Sequence, residues 1–132
     1  MTVIDKIAWI RIENHAILST RSHGKDVYYL PGGKREPGES DLATLLREID
    51  EELGVAITPE TVTPAGVFEA QAHGHHAGTT VRMTCYTADY QGTPTASSEI
   101  AEVNWLGYAD RHRVSTVDQI IFDRLYEQGQ LR

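Results

Sequence analysis

The sequence predicts an α/β domain in which helices pack on a mixed β-sheet. Two segments carry apolar residues at helical spacing, several others are short and β-like, and their order is strands, helix, strands, helix. The chain has 132 residues, of which 40% are hydrophobic and 23% charged. This length and composition predict one domain, residues 1–132, with a single core.

The strand predictions rest on β-branched and aromatic residues bounded by turn residues. One strand is predicted at residues 3–13, and its hairpin partner at residues 16–20, across the turn at Glu13 and Asn14. A short strand is predicted at residues 27–30 and is ended by Pro31 and Gly32. The remaining predicted strands are residues 62–70, 79–90 and 102–106.

Two helices are predicted from apolar spacing and from their ends. In residues 40–53 five apolar residues recur on one face, Ser40 is a suitable N-cap and Gly54 supplies the stop. Residues 116–128 show the same spacing and are followed by Gly129. The two helices therefore offer two apolar faces to a sheet.

The net charge and the hydropathy of the chain argue against two classes of partner, nucleic acids and membranes. The formal net charge is −7, so a nucleic-acid polymer is not expected as a partner. No apolar run approaches the roughly 20 residues that span a bilayer, and no secretory signal precedes the first strand. We expect no membrane partner and a cytoplasmic location. Cys85 is the single cysteine, which excludes an internal disulfide and predicts a small buried residue.

An acidic cluster on the first helix is the main chemical feature. Glu48, Glu51 and Glu52 lie at i, i+3 and i+4, which makes them neighbours on the helix surface. Like charges this close repel, and a hard divalent cation such as Mg²⁺ or Mn²⁺ would offset the repulsion. The alternative is a solvated acidic face with Arg47 as its counter-charge.

The cluster belongs to a longer pattern. Gly33 is followed by Glu39, by Arg47 and Glu48, and then by Glu51, Glu52, Gly54 and Val55, each at a fixed interval. This segment, residues 33–55, resembles the Nudix box, G-x5-E-x7-R-E-U-x-E-E-x-G-U with U aliphatic, at every specified position. The chance probability of such a match is on the order of 10⁻⁸. The chain is also similar to small MutT-like Nudix proteins at residues 30–34 and 98–102, at Trp105 and in its closing helix.

The resemblance implies an α/β/α sandwich and Mg²⁺-dependent hydrolysis of a nucleoside diphosphate linked to another moiety. Glu48, Glu51 and Glu52 match metal ligands, which the backbone carbonyl of Gly32 often joins. Arg47 and Glu39 match residues that order the loop and the ligand carboxylates. Gly33 and Gly54 complete the box.

Several roles stay open in the sequence. The general base is Glu52, Glu48 or a glutamate on a later loop, for which Glu99 is the first candidate and Glu102 the second. Tyr29 is either a base-stacking residue or a core tyrosine, and Lys34 is a candidate phosphate ligand. Asn104 and Asp118 are weaker candidates for base contacts. The histidines at 73, 75 and 76 predict a polar loop, a transition-metal site or a gate.

The leading functional hypothesis is hydrolysis of a nucleoside triphosphate, a deoxynucleoside triphosphate or an oxidised nucleotide to the monophosphate and pyrophosphate. One alternative is an ADP-ribose or nucleotide-sugar pyrophosphatase, although the marker proline of that subgroup lies further past the box than Pro59 and Pro64 do, and is absent at that distance. Another is a non-catalytic nucleotide-binding regulatory Nudix domain, which commonly loses box carboxylates. Related isomerases need a cysteine before the box, and Cys85 follows it. Either a monomer or a homodimer fits the sequence.

Overall fold

A computed structural model describes residues 2–72 and 78–132. It contains two helices, α1 (Asp41–Leu53) and α2 (Thr116–Glu127), and two 3₁₀ turns, Pro59–Thr61 and Tyr108–Arg113. The strands are β1 (Thr2–Trp9), β2 (Ile12–Glu13), β3 (Ala16–Ser22), β4 (Gly32–Gly33), β5 (Ala56–Ile57), β6 (Thr63–Gln71), β7 (Thr79–Thr87), β8 (Tyr90–Gln91) and β9 (Ile100–Leu106).

The strands form one four-stranded sheet and two smaller ones. The large sheet has the order β4-β1-β7-β6, with β1 parallel to β7 and the outer pairs antiparallel, so it is mixed as predicted. A three-stranded antiparallel sheet has the order β2-β3-β9, and β5 pairs with β8.

Helices cover both faces of the large sheet. Alternate residues of β1 point to opposite faces, so Ile7 and Trp9 pack with the apolar face of α1, while Ala8 packs with that of α2. The α1 face consists of Leu45, Ile49 and Leu53, and the α2 face includes Val117, Ile121 and Phe122. This arrangement confirms the predicted α/β/α layers.

The prediction that residues 3–13 form one strand in a hairpin with residues 16–20 was wrong. The segment divides after Trp9: β1 runs parallel to β7 from Thr2 opposite Thr79 to Trp9 opposite Tyr86, and only β2 forms the hairpin with β3. The predicted strand 79–90 divides in the same way, because β7 ends at Thr87 and β8 pairs with β5. Apolar alternation shows that a segment is extended, but it does not show which distant strand it joins.

The ends of α1 agree with the sequence. Ser40 is the N-cap, and its hydroxyl accepts a hydrogen bond from the backbone N–H of Ala43 at 3.1 Å. Gly54, at φ 67°, ends the helix by donating its N–H to the carbonyl of Asp50. Residues 27–30 make only single bridges, from Tyr28 and Tyr29 to neighbouring segments. Within residues 2–72 and 78–132, neither helix is long and apolar enough to cross a bilayer.

Candidate active site

Two glycines bring the backbone of β4 against the carboxylates of α1. Gly32 has φ 150°, and a Cβ atom there would lie 2.0 Å from the carbonyl oxygen of Ile7. A Cβ atom on Gly33 would lie 2.4 Å from the carboxyl carbon of Glu48. Any larger residue at either position would displace β1 or Glu48, so the pair fixes how closely α1 approaches β4.

Three carboxylates meet at this point. One oxygen from each of Glu48, Glu52 and Glu99 lies within 4.8 Å of the others. Glu52 is 6% exposed and accepts a hydrogen bond from the backbone N–H of Gly32 at 3.1 Å. Glu99 arrives from the segment before β9, about fifty positions beyond the helix, so the cluster joins a local motif to a distant residue.

Burial and mutual repulsion make the ionised cluster costly. Burial raises the pKa of Glu52 to about 8, the charges of Glu48 and Glu99 add to the rise, and the Gly32 N–H opposes it. Burial also raises the pKa of Glu48. The Ser98 hydroxyl donates to Glu99 at 2.7 Å and is the main cause of the lowered pKa of that carboxyl. A divalent cation between these oxygens would stabilise all three in their charged form.

The donor set fits Mg²⁺ or Mn²⁺. All three side chains offer carboxylate oxygens, which hard divalent cations prefer, and no histidine or cysteine joins them among the described residues. Glu51 lies apart from this group. Its side chain is 50% exposed, and one of its oxygens lies 3.6 Å from the Arg47 guanidinium.

Arg47 holds the loop and the helix together. Its guanidinium donates two hydrogen bonds to Glu39, at 2.7 and 2.8 Å, and a third to Glu48 at 2.8 Å. It also donates to the carbonyl of Lys34 at 3.2 Å. Glu39 accepts further bonds from the Glu36 N–H and the Thr44 hydroxyl. Arg47 therefore sets the orientation of one cluster carboxylate and the path of the loop before α1.

Glu39 stays ionised far into the acid range because of these contacts. The hydrogen bonds from Arg47 are the main cause of its low pKa of about 2, and the backbone N–H of Glu36 and the Thr44 hydroxyl contribute. A charged Glu39 keeps Arg47 in place, and Arg47 in turn donates to Glu48. The sequence predicts that Glu39 and Arg47 order the loop and the ligand carboxylates, and this role stays a prediction that the hydrogen bonds allow.

A cavity of about 630 Å³ opens beside the cluster. Its apolar part includes Leu30, Val81, Met83, Ile100 and Val117. Its cations are Lys6, Lys25, Lys34, Arg35 and Arg47. Apolar walls with a few charged groups at one end are typical of small-molecule sites. A chain of net charge −7 thus gathers five of its twelve basic residues at one cavity.

The substrate candidates fall at different distances from this cavity. Tyr29 and Lys34 line it, and the ammonium of Lys6 lies 5.4 Å from the centre of the Tyr29 ring. Asp118 is fully buried beside the cavity wall, and its Oδ2 accepts the backbone N–H of Leu30 at 2.8 Å. Its Oδ1 has no hydrogen-bond partner among the described residues. Burial raises the pKa of Asp118 to about 7.

Asn104 and Glu102 lie outside the cavity lining. Asn104 donates to the hydroxyl of Tyr28 at 3.3 Å. Glu102 accepts from the same hydroxyl at 2.9 Å and forms an ion pair with Arg21. Of the two later glutamates, only Glu99 joins the cluster. The histidines at 73, 75 and 76 lie outside the described residues.

A family comparison identifies the protein class. The model of the Nudix domain matches residues 5–124, which is most of the chain. The chain belongs to the Nudix family. Nudix proteins are pyrophosphohydrolases, enzymes that hydrolyse acid anhydrides.

Solved structures share the Nudix fold at low sequence identity. The E. coli ORF135 protein is 24% identical with a TM-score of 0.74, over 96% of this chain and 91% of that one. A Bacillus halodurans MutT protein is 22% identical with a TM-score of 0.70, over 90% and 79%. A UDP-X diphosphatase is 24% identical with a TM-score of 0.70, over 98% and 64%. Comparison with curated protein sequences gives no match.

Sequence reasoning missed the cations that the Nudix fold adds to the cavity. Lys6 and Lys25 lie outside the box, and Arg35 occupies one of its unspecified positions. None of the three belongs to another motif. Only Lys6 leaves a signal, because it shares a strand face with the buried Ala8. A charge at a core-facing strand position marks an unusual environment.

Proposed function

We propose that this protein is a Mg²⁺-dependent hydrolase that cleaves a phosphoanhydride bond in a nucleoside-diphosphate-linked substrate. The substrates that we propose are ribonucleoside or deoxynucleoside triphosphates and oxidised nucleotides, which would yield the monophosphate and pyrophosphate. The observation that carries this proposal is the Glu48, Glu52 and Glu99 cluster beside a cavity with five cations. Carboxylates hold the metal, and the cations and the metal together attract phosphates.

The metal would lie between the backbone of β4 and the glutamates of α1. Glu48 and Glu52 would supply the central oxygens, and the carbonyl of Gly32 and the side chain of Glu51 would be further ligands. When bound, Mg²⁺ neutralises phosphate charge and activates water for in-line attack. Mn²⁺ has the same preference for oxygen ligands and is the natural substitute.

The side chains around the metal ligands have separate roles. Glu99 is the proposed general base, because it reaches the cluster from a separate segment and would leave the two helical glutamates, Glu48 and Glu52, to hold the metal. Arg47 positions Glu48 through the hydrogen bond between them. Lys34 extends from β4 into the same cavity, where its ammonium would meet a phosphate of the substrate.

The nucleoside would occupy the apolar part of the cavity. Val81, Met83 and Val117 provide a wall for a flat ring. Asp118 lies behind this wall with Oδ1 unpartnered among the described residues, and a base N–H reaching it would satisfy that oxygen. Tyr29 contributes a ring edge or face at the entrance. The wall accepts several bases, so the panel below includes all of them.

A substrate panel tests the proposal. The chain would be assayed with Mg²⁺ and with Mn²⁺ on triphosphates, oxidised nucleotides, ADP-ribose and nucleotide sugars, and the phosphate products would be identified. We expect a triphosphate or an oxidised nucleotide to give pyrophosphate and a monophosphate. Preferential cleavage of ADP-ribose or a nucleotide sugar would favour the diphosphatase alternative. No turnover anywhere, with nucleotide binding retained, would favour a regulatory domain.

Substitution of Glu52 tests the catalytic assignment. Glu52→Gln should lower Mg²⁺-dependent turnover by at least about a hundredfold while retaining the fold, because the cluster loses its central charge. Asp50→Asn is the matched control, since Asp50 is an exposed acid on the same helix. Near wild-type turnover in Glu52→Gln, or an equal loss in Asp50→Asn, would contradict the assignment.

A further inference from the structure

Lys6 is a lysine in an unfavourable position. It lies on β1, on the same face as the buried Ala8, and its side chain lines the cavity. Burial is the main cause of its lowered pKa. Among residues 2–72 and 78–132 no carboxylate forms an ion pair with it, and its ammonium lies 5.4 Å from the centre of the Tyr29 ring. A half-buried cation without an ion pair costs folding free energy, and an anionic ligand in the cavity would offset that cost.

A second lysine faces the same space. The antiparallel register of β1 and β4 joins Ala8 to Gly32 and Ile7 to Gly33, and Lys6 and Lys34 are the residues that follow at the Ile7–Gly33 end of this ladder. Both side chains line the cavity. The charge of Lys34 adds to the lowering of the pKa of Lys6, so the two ammonium groups repel each other. Directly opposed like charges destabilise a strand pair unless an anion lies between them.

The position of Lys6 indicates which part of a ligand it would meet. The ammonium of Lys6 is attracted by Asp118, which lies near the proposed base site, and by Glu52 and Glu48, which are proposed metal ligands. A bound divalent cation would neutralise the two glutamates and leave Lys6 without their attraction. The group that restores the balance must then be anionic and must lie where the nucleoside end meets the metal end.

We propose that Lys6 is a substrate-binding residue that, opposite Lys34, holds the phosphate attached to the nucleoside. This inference rests on the proposed function, because it assumes a nucleotide in this cavity. A phosphate carries the charge that two opposed lysines require, whereas a base carbonyl is neutral. Lys6 thereby ties the position of the nucleoside to that of the phosphate, a link that metal ligands do not provide.

Binding of reaction products tests Lys6 without requiring turnover. The wild-type chain and its variants would be titrated with AMP, GMP, CMP and UMP, and with the four corresponding nucleosides, in the presence of Mg²⁺. Chemical-shift changes in NMR spectra report even millimolar dissociation constants. Lys6→Met should weaken binding of the preferred monophosphate about tenfold or more, as expected for loss of a hydrogen bond to a charged group, and leave nucleoside binding unchanged.

Two variants distinguish a direct contact between Lys6 and the phosphate from a general electrostatic attraction by the cations of the cavity. Lys6→Arg keeps the cation and should retain monophosphate binding within about threefold of wild type. Lys25→Met removes an exposed cation from the rim of the same cavity and should weaken binding much less than Lys6→Met. The melting temperature of Lys6→Met should equal or exceed that of the wild type, since a desolvated charge is removed.

The outcomes distinguish this inference from the proposed hydrolysis. Equal monophosphate binding by Lys6→Met and wild type would overturn the inference even if the panel shows hydrolysis. An equal loss for nucleosides and monophosphates would make Lys6 a base-binding residue, and absence of monophosphate binding by the wild type would also contradict it. Monophosphate binding that depends on Lys6 in a chain without hydrolytic activity would sustain the inference and reject the hydrolase.

Discussion

Glu39 shows how one residue of the box contributes to stability. Its carboxylate receives two hydrogen bonds from Arg47, one from a backbone N–H and one from the Thr44 hydroxyl. These contacts exist only in the folded chain, and they lower the pKa of Glu39 from 4.5 to about 2. The unfolded state therefore binds a proton at a higher pH than the folded state does.

This difference predicts an acid-dependent loss of stability. The contribution of Glu39 is fully present above pH about 4.5 and is lost as the pH falls toward about 2. Glu39→Gln should therefore reduce the unfolding free energy at pH 7 and flatten its decline between these two pH values. Chemical unfolding curves recorded across the acid range measure both effects.

Glu60→Gln is the control for that series. Glu60 lies on an exposed 3₁₀ turn and forms no ion pair in the part of the chain that the structure describes. Its substitution should leave the acid branch of the stability curve as in wild type. If Glu39→Gln shows the same slope as wild type, its contacts with Arg47 do not persist in solution.

The sequence predicted the positions of the box glutamates in more detail than that of Glu99. The box placed Glu48 and Glu52 on one helix, and a local period is enough to bring such residues together. Glu99 was one of four candidates for the base and was ranked ahead of Glu102, but no local pattern shows which of the two reaches the helix. The structure separates them: Glu99 contacts the cluster, and Glu102 pairs with Arg21. That difference is set by how the segment before β9 packs on α1.

At the scale of elements, the β2–β3 turn contains two residues in an uncommon conformation. Asn14 and His15 have φ angles of 52° and 63°, and neither is glycine. The left-handed region costs most L-residues roughly 1–2 kcal/mol, and asparagine tolerates it better than histidine does. A two-residue hairpin turn of this kind favours glycine at its second position.

Relief of this conformation should stabilise the chain. His15→Gly is expected to raise the unfolding free energy by up to about 1 kcal/mol, as glycine adopts positive φ without steric cost. Denaturant unfolding at neutral pH measures the change. Ala16→Gly, at the first residue of β3, should lower stability by roughly 0.5–1 kcal/mol. A destabilised His15→Gly would show that the histidine contact with the Gln130 carbonyl outweighs the strain.

Helices and strands were predicted unequally well. Both helices lie close to their predicted bounds, because apolar spacing and capping residues are local signals. The segment before Asn14 was predicted as a single strand and proved to be two strands in different sheets. The pairs β4 with β1 and β5 with β8 involve strands of two residues, and such short strands have no periodicity to detect.

At the scale of the whole molecule, metal binding should be linked to folding. The proposed metal ligands meet only when β4, α1 and the segment before β9 are packed, so a cation that binds them would bind the folded state. Adding Mg²⁺ should therefore raise the melting temperature. At a concentration one hundred times the dissociation constant, the gain is about 2.7 kcal/mol.

The control for this linkage is a matched salt and a matched variant. Potassium chloride at equal ionic strength should not reproduce the shift, and a chelator should reverse it. Glu52→Gln should show a much smaller Mg²⁺ shift, whereas Asp50→Asn should respond as the wild type does. A shift of equal size in both variants would place the stabilising cation elsewhere on this acidic chain.

The sequence by itself determined the family, the reaction class and the helix that carries the acidic residues. These follow from fixed spacings within residues 33–55, where each residue is close to the next along one loop and one helix. The sequence also predicted the α/β/α layers, because strand and helix periodicities are local.

Only the tertiary structure decided which distant groups share the cavity with that helix. It placed Glu99 in the cluster, left Glu51 half exposed, and brought Lys6 and Lys34 to the lining of one cavity. These contacts depend on the register of β1 with β4 and on the path of the chain before β9. Register is fixed by packing over the whole core, so no local pattern at Lys6 or Glu99 reveals it.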